Sequence, residues 1–419
     1  MMSRLLFVLV VLCAGCAMVN AEAEPARTSH KPRSAGAPSA PARPLPTHSA
    51  EPVVALWVTR WDFKTQEDVD QIMQRAASLG VTDVLWQVRG QADAYYPSSL
   101  EPWGEDICTP GPGGRLLPPG FDPLRAAVDS AHARGLRLHA WMNVMPMWKG
   151  TQPPRAQGHM YYRHPDWIVR DASNKPQALN EHYVTVNFTL PAVQDHIAAV
   201  ALDIVTRYPV DGLHLDYVRF VNETANKSLR LMEDPGTLDR YAKEQGVRLT
   251  DRELPEHRAQ IAAWRRGKIT GLVRRIAREC RVARPGLVIS GAVWRTPKTA
   301  LGFDQEAAQW LNEGTLDRAY PMIYCEKDDQ FARELGEWVV ACPGKAVTPG
   351  IGVYLHAPSR SAAQFSTARR QAPSGLGIFA YASLFESPDP RQDKKPGAVR
   401  ERAERLAGIR ALLVPKPAP

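Results

Sequence analysis

Residues 211–220 read DGLHLDYVRF. Leu213 and Leu215 alternate with His214 and Asp216, and in a strand successive side chains point to opposite faces. One face is apolar; the other carries an imidazole and a carboxylate. A strand that is apolar outward and polar inward suits the wall of a closed barrel. Asp216 then falls at the lip, where a ligand would rest.

The flanking chain repeats the theme. Strand-like stretches at 53–61, 81–90, 136–148, 211–220, 287–294, 316–326, 346–355 and 375–385 alternate with helix-like stretches at 65–80, 122–135, 191–208, 256–282, 304–314, 328–340, 360–371 and 397–412. In the first helix Val69, Ile72, Met73, Ala76 and Leu79 recur at helical spacing behind a Thr65 cap. Strict alternation of strand and helix favours a parallel sheet. Eight such units predict an α/β fold, a (β/α)₈ TIM barrel with long loops after strands 3 and 4. An open doubly wound sheet would carry a Gly-rich phosphate turn after strand 1. RWDFKT, residues 60–65, is not one, and no cofactor is called for.

The chain has 419 residues and a formal charge of +8. It lacks a dense Lys/Arg run and zinc-finger spacing, which argues against nucleic acid as a partner. Residues 1–16 read as a signal peptide: a short basic start, then an apolar run too short to span a bilayer comfortably. The small residues before Cys16 resemble a bacterial lipobox, so Cys16 is the expected lipid attachment site. The expected location is the cell envelope, anchored in the membrane outside the cytoplasm; cleavage near Ala21 and secretion is the alternative. Residues 17–50 are rich in Pro, Ala and Ser without apolar period and read as a tether. The barrel is expected over 51–412, and 413–419 as a frayed tail. Of the remaining cysteines, Cys325 and Cys342 could pair or remain buried thiols.

Active sites of such barrels lie at the C-terminal ends of the strands. Alternation gathers Gln87, Arg89, Asp93, His139, Asn143, His214, Asp216, Tyr324 and Glu326 at one mouth. Trp57, Trp61, Trp141, Trp148, Trp294 and Tyr354 ring it. Aromatic faces beside hydrogen-bonding groups suit a sugar, and glycoside cleavage needs a pair of carboxyls. Asp216 and Glu326 are the expected catalytic pair, with Asp93 and Glu386 as rivals for the second place. Arg89, Asp93, His139, Trp141, Asn143, His214, Tyr324, Trp57 and Trp294 are the expected substrate contacts. A metal held by His139, His214 and Asp216 has no compact ligand motif behind it. Arg60, Arg89, Arg219 and Arg295 follow four strand ends, which suggests a substrate with acidic groups.

Five stretches carry a family resemblance: ALWVTRWDF (55–63), VLWQVRGQADAYYPSSLEPW (84–103), GFDPLRAAVDSAHARGLRLHAWMN (120–143), HPDWIV (164–169) and VDGLHLDYVRF (210–220). Together they resemble the glycosyl-hydrolase-like family 10 of bacterial envelope lipoproteins. The resemblance implies a TIM barrel and a glycosidase, for some members one that cleaves peptide-free peptidoglycan strands. Asp216, His139, Trp141, Asn143, Arg89 and Asp93 match its motifs. Tyr217 stands where the family usually has a second acid. DGLHLDYV is also similar to the strand-4 signature of chitinase-type family-18 enzymes, but Val218 replaces their catalytic Glu. The expectation is an extracytoplasmic glycoside hydrolase acting on an envelope polysaccharide, most specifically peptide-free peptidoglycan strands. The alternatives are a non-catalytic carbohydrate-binding barrel and, more distantly, a metal-dependent deacetylase or amidase.

Overall fold

The computed structural model describes residues 52–220, 230–250, 252–372, 374–389 and 391–414. The signal peptide, Cys16, the tether and residues 415–419 lie outside the described residues.

Eight parallel strands form one sheet: β1 (Val53–Val58), β2 (Asp83–Arg89), β3 (Arg137–Asn143), β4 (Gly212–Asp216), β5 (Val288–Val293), β6 (Arg318–Pro321), β7 (Gly350–Gly352) and β8 (Gly375–Phe379). Their order is β6-β5-β4-β3-β2-β1-β8-β7. Between β6 and β7 the lacing is reduced to the isolated bridges Ala319–Val347 and Met322–Gly350, so the barrel is nearly closed. Each strand leads to a helix: α1 (Gln66–Ser78), α2 (Pro123–His132), α3 (Pro191–Arg207), α4 (Leu254–Ala283), α5 (Ala307–Asn312), α6 (Asp328–Ala341), α7 (Pro358–Gln371) and α8 (Ala398–Leu413). This is the expected TIM-like barrel.

Local chemistry sets the helix starts. Thr65 accepts from the Asp68 N–H while the Asp68 carboxylate accepts from the Thr65 N–H, a reciprocal cap on α1. Asp122 accepts from the N–H groups of Leu124 and Arg125, and Pro123 opens α2. Two apolar clusters confirm the alternation within the strands. Leu56, Val58, Val84, Trp86, Leu138, Leu213 and Leu215 pack outward among the helices. Val53, Ala55, Trp57, Leu85, Trp141 and Tyr320 fill the inside.

The strands are shorter than the apolar runs that announce them. The stretch 136–148 splits into β3 and a second strand, Pro146–Gly150, which pairs antiparallel with Asn180–Thr185 as an arm over the barrel. The loop after β4 holds the helix Pro235–Gln245, and Pro297–Gly302 is a short helix before α5. A third long loop, residues 90–122, follows β2 and was not anticipated. All four described cysteines are free, so Cys325 and Cys342 are buried thiols.

Candidate active site

The interior is built in layers. Deepest are Asp83, Arg137 and His139. Arg137 and His139 both bond the Asp83 carboxylate, His139 through Nε2 at 2.9 Å. Burial works against ionising Asp83, yet the His139 hydrogen bond and then Arg137 hold it well below the usual carboxylate range. Gly212 lies beside this floor: a Cβ there would sit 2.1 Å from His139 Nδ1, so only glycine fits. His139 is therefore a floor residue, not the mouth residue its alternation suggested. Alternation gives the face of the sheet but not the depth.

Above it, Trp57 donates to His214 Nε2 at 3.2 Å, and His214 Nδ1 meets Ser290 Oγ at 2.9 Å. Tyr320 packs edge-on against both rings. Burial, reinforced by His139, holds the His214 imidazole well below its ordinary pKa. It is neutral, accepting at Nε2 and donating from Nδ1. Trp57 and His214 thus plug the barrel instead of lining its rim.

Asp216 ends β4 at the upper layer and is 6% exposed. One carboxylate oxygen accepts from the Tyr217 N–H at 2.6 Å and from Arg219 at 3.2 Å. Tyr217 reaches back to Asp216 from a left-handed backbone, φ 51°, an unusual conformation for a tyrosine and a mark of functional turns. Arg219 lies over the rings of Tyr217 (4.1 Å) and Trp294 (5.2 Å), which fix it against the carboxylate. Burial raises the Asp216 pKa, opposed by Arg219, the Tyr217 N–H and the Trp141 side chain; the net shift is upward. Tyr324 stacks on Phe379 at 5.1 Å, with Tyr354 beside both. Burial and then the Asp216 charge keep its phenol protonated.

A second carboxyl belongs to the same wall. Trp141 donates to Asn143 Oδ1, and Asn143, the register partner of Asp216, donates to the Gly90 carbonyl. The Gly90 and Gln91 N–H groups in turn bond Asp93 Oδ1. Asp93 is 2% exposed and its Oδ2 is buried without a partner. Burial raises its pKa against the pull of Arg60 and His159. The arm closes over this side: His159 bonds the Gln91 carbonyl, and Tyr183 packs 5.0 Å from Tyr217.

Several expected contacts sit elsewhere. Glu326 lies exposed on the loop to α6, because β6 stops at Pro321 and alternation does not carry to residue 326. Arg89 is 1% exposed and clamps Glu101 with Nε and Nη2, beyond reach of a ligand. A shift in the β2–β3 register after Gln87 accompanies this turn away from the mouth. Trp294 stacks on Phe303 at 4.5 Å, beside Arg219. Arg60 pairs with Asp106, Arg219 with Asp216 and Arg295 with Glu334. All four strand-end arginines already have internal carboxylates. Among the described residues no group of three or more His, Cys, Asp or Glu is arranged to hold a metal. His159, Tyr183 and Asp106 were missed; His159 and Asp106 lie on loops and Tyr183 on the short arm strand, outside the alternation of the barrel.

The sequence profile described as "Glycosyl hydrolase-like 10" matches residues 52–363, and the chain belongs to that family. Glycosyl hydrolase DigH of Escherichia coli K12 is 27% identical over 346 residues, 71% of either chain. Glycosyl hydrolase YngK of Bacillus subtilis is 24% identical over 277 residues, 62% of this chain and 49% of that protein. In fold, the chain is similar to the glycoside hydrolase domain of PgaB (BpsB) from Bordetella bronchiseptica. The TM-score is 0.57 at 14% identity, covering 84% of this chain and 98% of that domain. An α-L-fucosidase isoenzyme from Paenibacillus thiaminolyticus aligns with a TM-score of 0.54 at 13% identity, over 86% of this chain and 49% of that one.

Proposed function

We propose that this member of the glycosyl hydrolase-like 10 family hydrolyses glycosidic bonds in an envelope polysaccharide, with peptide-free peptidoglycan strands as substrate. The observation that carries the reading is Asp216, a strand-end carboxylate held by Arg219 and a left-handed Tyr217, with Tyr324 near enough to feel its charge and packed with Phe379 and Tyr354. The names of its relatives support the reaction class. The glycan rests on the family resemblance and on the signal-like N-terminus.

The two upper carboxyls differ in a way that suits acid–base division of labour. Asp216 accepts two donors, one of them cationic, and these favour its anion. It acts as nucleophile or base at the sugar. Asp93 keeps a buried, unpartnered oxygen that favours a proton, and it acts as the acid toward the leaving oxygen. Asp93 here replaces Glu326, which lies exposed on the loop to α6. Tyr324 and Asn143 orient the ring. The paired arginines remove the argument for recognising acidic groups, so a neutral acetamido-sugar polymer fits the site as well as an acidic one.

The test is product release from peptide-free glycan strands and from chitin oligomers. Binding without products from the wild-type protein would instead favour a non-catalytic carbohydrate-binding barrel. Anchoring at Cys16 belongs to the same proposal: fatty-acid labelling should be lost in Cys16→Ala, and a labelled variant would refute it.

A further inference from the structure

Beside the mouth lies a pocket of about 600 Å³, within the range of roughly 300–1,000 Å³ usual for ligand clefts. Its walls come from the end of β1, the turns after β7 and β8, Asp389 and Arg391 to Asp393, and the first two turns of α8. Tyr354 and Phe379 belong both to this pocket and to the aromatic group they form with Tyr324, whose phenol feels the Asp216 charge. The pocket therefore adjoins that aromatic group and shares two of its rings as a wall.

The charges in the pocket cancel locally. Arg391 binds Asp389 through Nε and Nη2, and Arg402 pairs with Asp393. Arg405 donates to the carbonyls of Ser383 and His356. Such a lining offers hydrogen bonds at its rim without a net field, which favours an uncharged polyol over an ion. Tyr354 is 49% exposed, so an aromatic face is open to ligand at the junction. Trp61 is covered by the Arg60 and Arg391 guanidiniums at 4.0 and 3.6 Å and stiffens the wall without being a platform itself.

We propose that this pocket is an outer subsite that binds further, uncharged sugar units of the same chain whose scissile bond lies over Asp216. The inference rests on the carbohydrate reading above. It makes affinity depend on oligosaccharide length, and the dependence should be removable without touching the barrel. Ala398 lines the pocket at the start of α8, so Ala398→Trp fills it from a partly exposed position. Ala382→Trp fills it from the turn after β8, likewise from a partly exposed position.

Chito-oligosaccharides of two to six units are titrated into wild type and both variants by calorimetry, with melting curves to confirm folding. The expected result is at least a tenfold gain in affinity from dimer to hexamer in wild type, falling below threefold in each folded variant. An equal gain in all three proteins overturns the subsite while leaving the hydrolase reading intact. A wild type that binds no oligomer and cleaves no glycan strand overturns the carbohydrate reading itself.

Discussion

Trp57 hands its indole N–H to His214 Nε2 across 3.2 Å inside the barrel, and that bond fixes the imidazole as a neutral acceptor. His214 has a folded pKa well below its unfolded value of about 6.5. Above that pH both states are neutral and the group costs nothing. As pH falls below about 6.5 the unfolded chain takes up the proton first, so stability declines toward the folded pKa. His214→Gln should flatten this part of the profile in urea melts recorded from pH 5 to pH 8. An unchanged slope would place the pH dependence elsewhere.

Asp216→Asn should lower kcat by about 10²–10⁴-fold, the usual weight of a positioned acid–base group. The acidic limb of the rate profile should lie above the ordinary carboxylate pKa, because burial raises that of Asp216. Arg219 works in the other direction. Arg219→Met should therefore move the limb to still higher pH, which kcat/KM measured against pH would reveal.

Asp93 and Glu326 make opposite predictions. Asp93→Asn should slow turnover of sugars with poor leaving groups by about 10²-fold or more, and activated aryl glycosides much less, as expected for loss of a proton donor. Glu326→Gln should change either rate less than threefold. The reverse pattern would restore Glu326 as the acid.

Arg89→Ala should act on stability and not on substrate affinity. Arg89 and Glu101 form a buried pair, and Arg89 also donates to the Val144 carbonyl. Burial would raise Glu101, but Arg89 and His196 hold it at about 2. Removing the arginine strands that charge, a loss of about 3–5 kcal/mol. Urea denaturation reads the loss directly, and a KM change without a stability change would contradict the placement.

The barrel was legible because alternation has a period of two and both faces of each strand are buried. Leu213 and Leu215 outward, His214 and Asp216 inward follow from that alone. Depth was not legible. His139 and Asn143 share a face in the sequence, yet their register partners are Gly212 and Asp216, a floor and a mouth. Strand ends were also hidden, since apolar runs continue past the last ladder bond. The 316–326 run ends as a strand at Pro321, which is why Glu326 was misplaced. Tyr183 and His159 reach the site from an arm and its loop, through long-range packing that no local pattern encodes.

The thin lacing between β6 and β7 gives the barrel a preferred direction of give. A hoop under strain opens at its weakest stave, and here that stave stands next to Tyr324 and Tyr354. A bulky ring entering the site should be accommodated on this side first, because ladders, rather than isolated bridges, join β2, β3 and β4, the strand that ends on Asp216. Chemistry and accommodation thus fall to opposite sides of one cylinder.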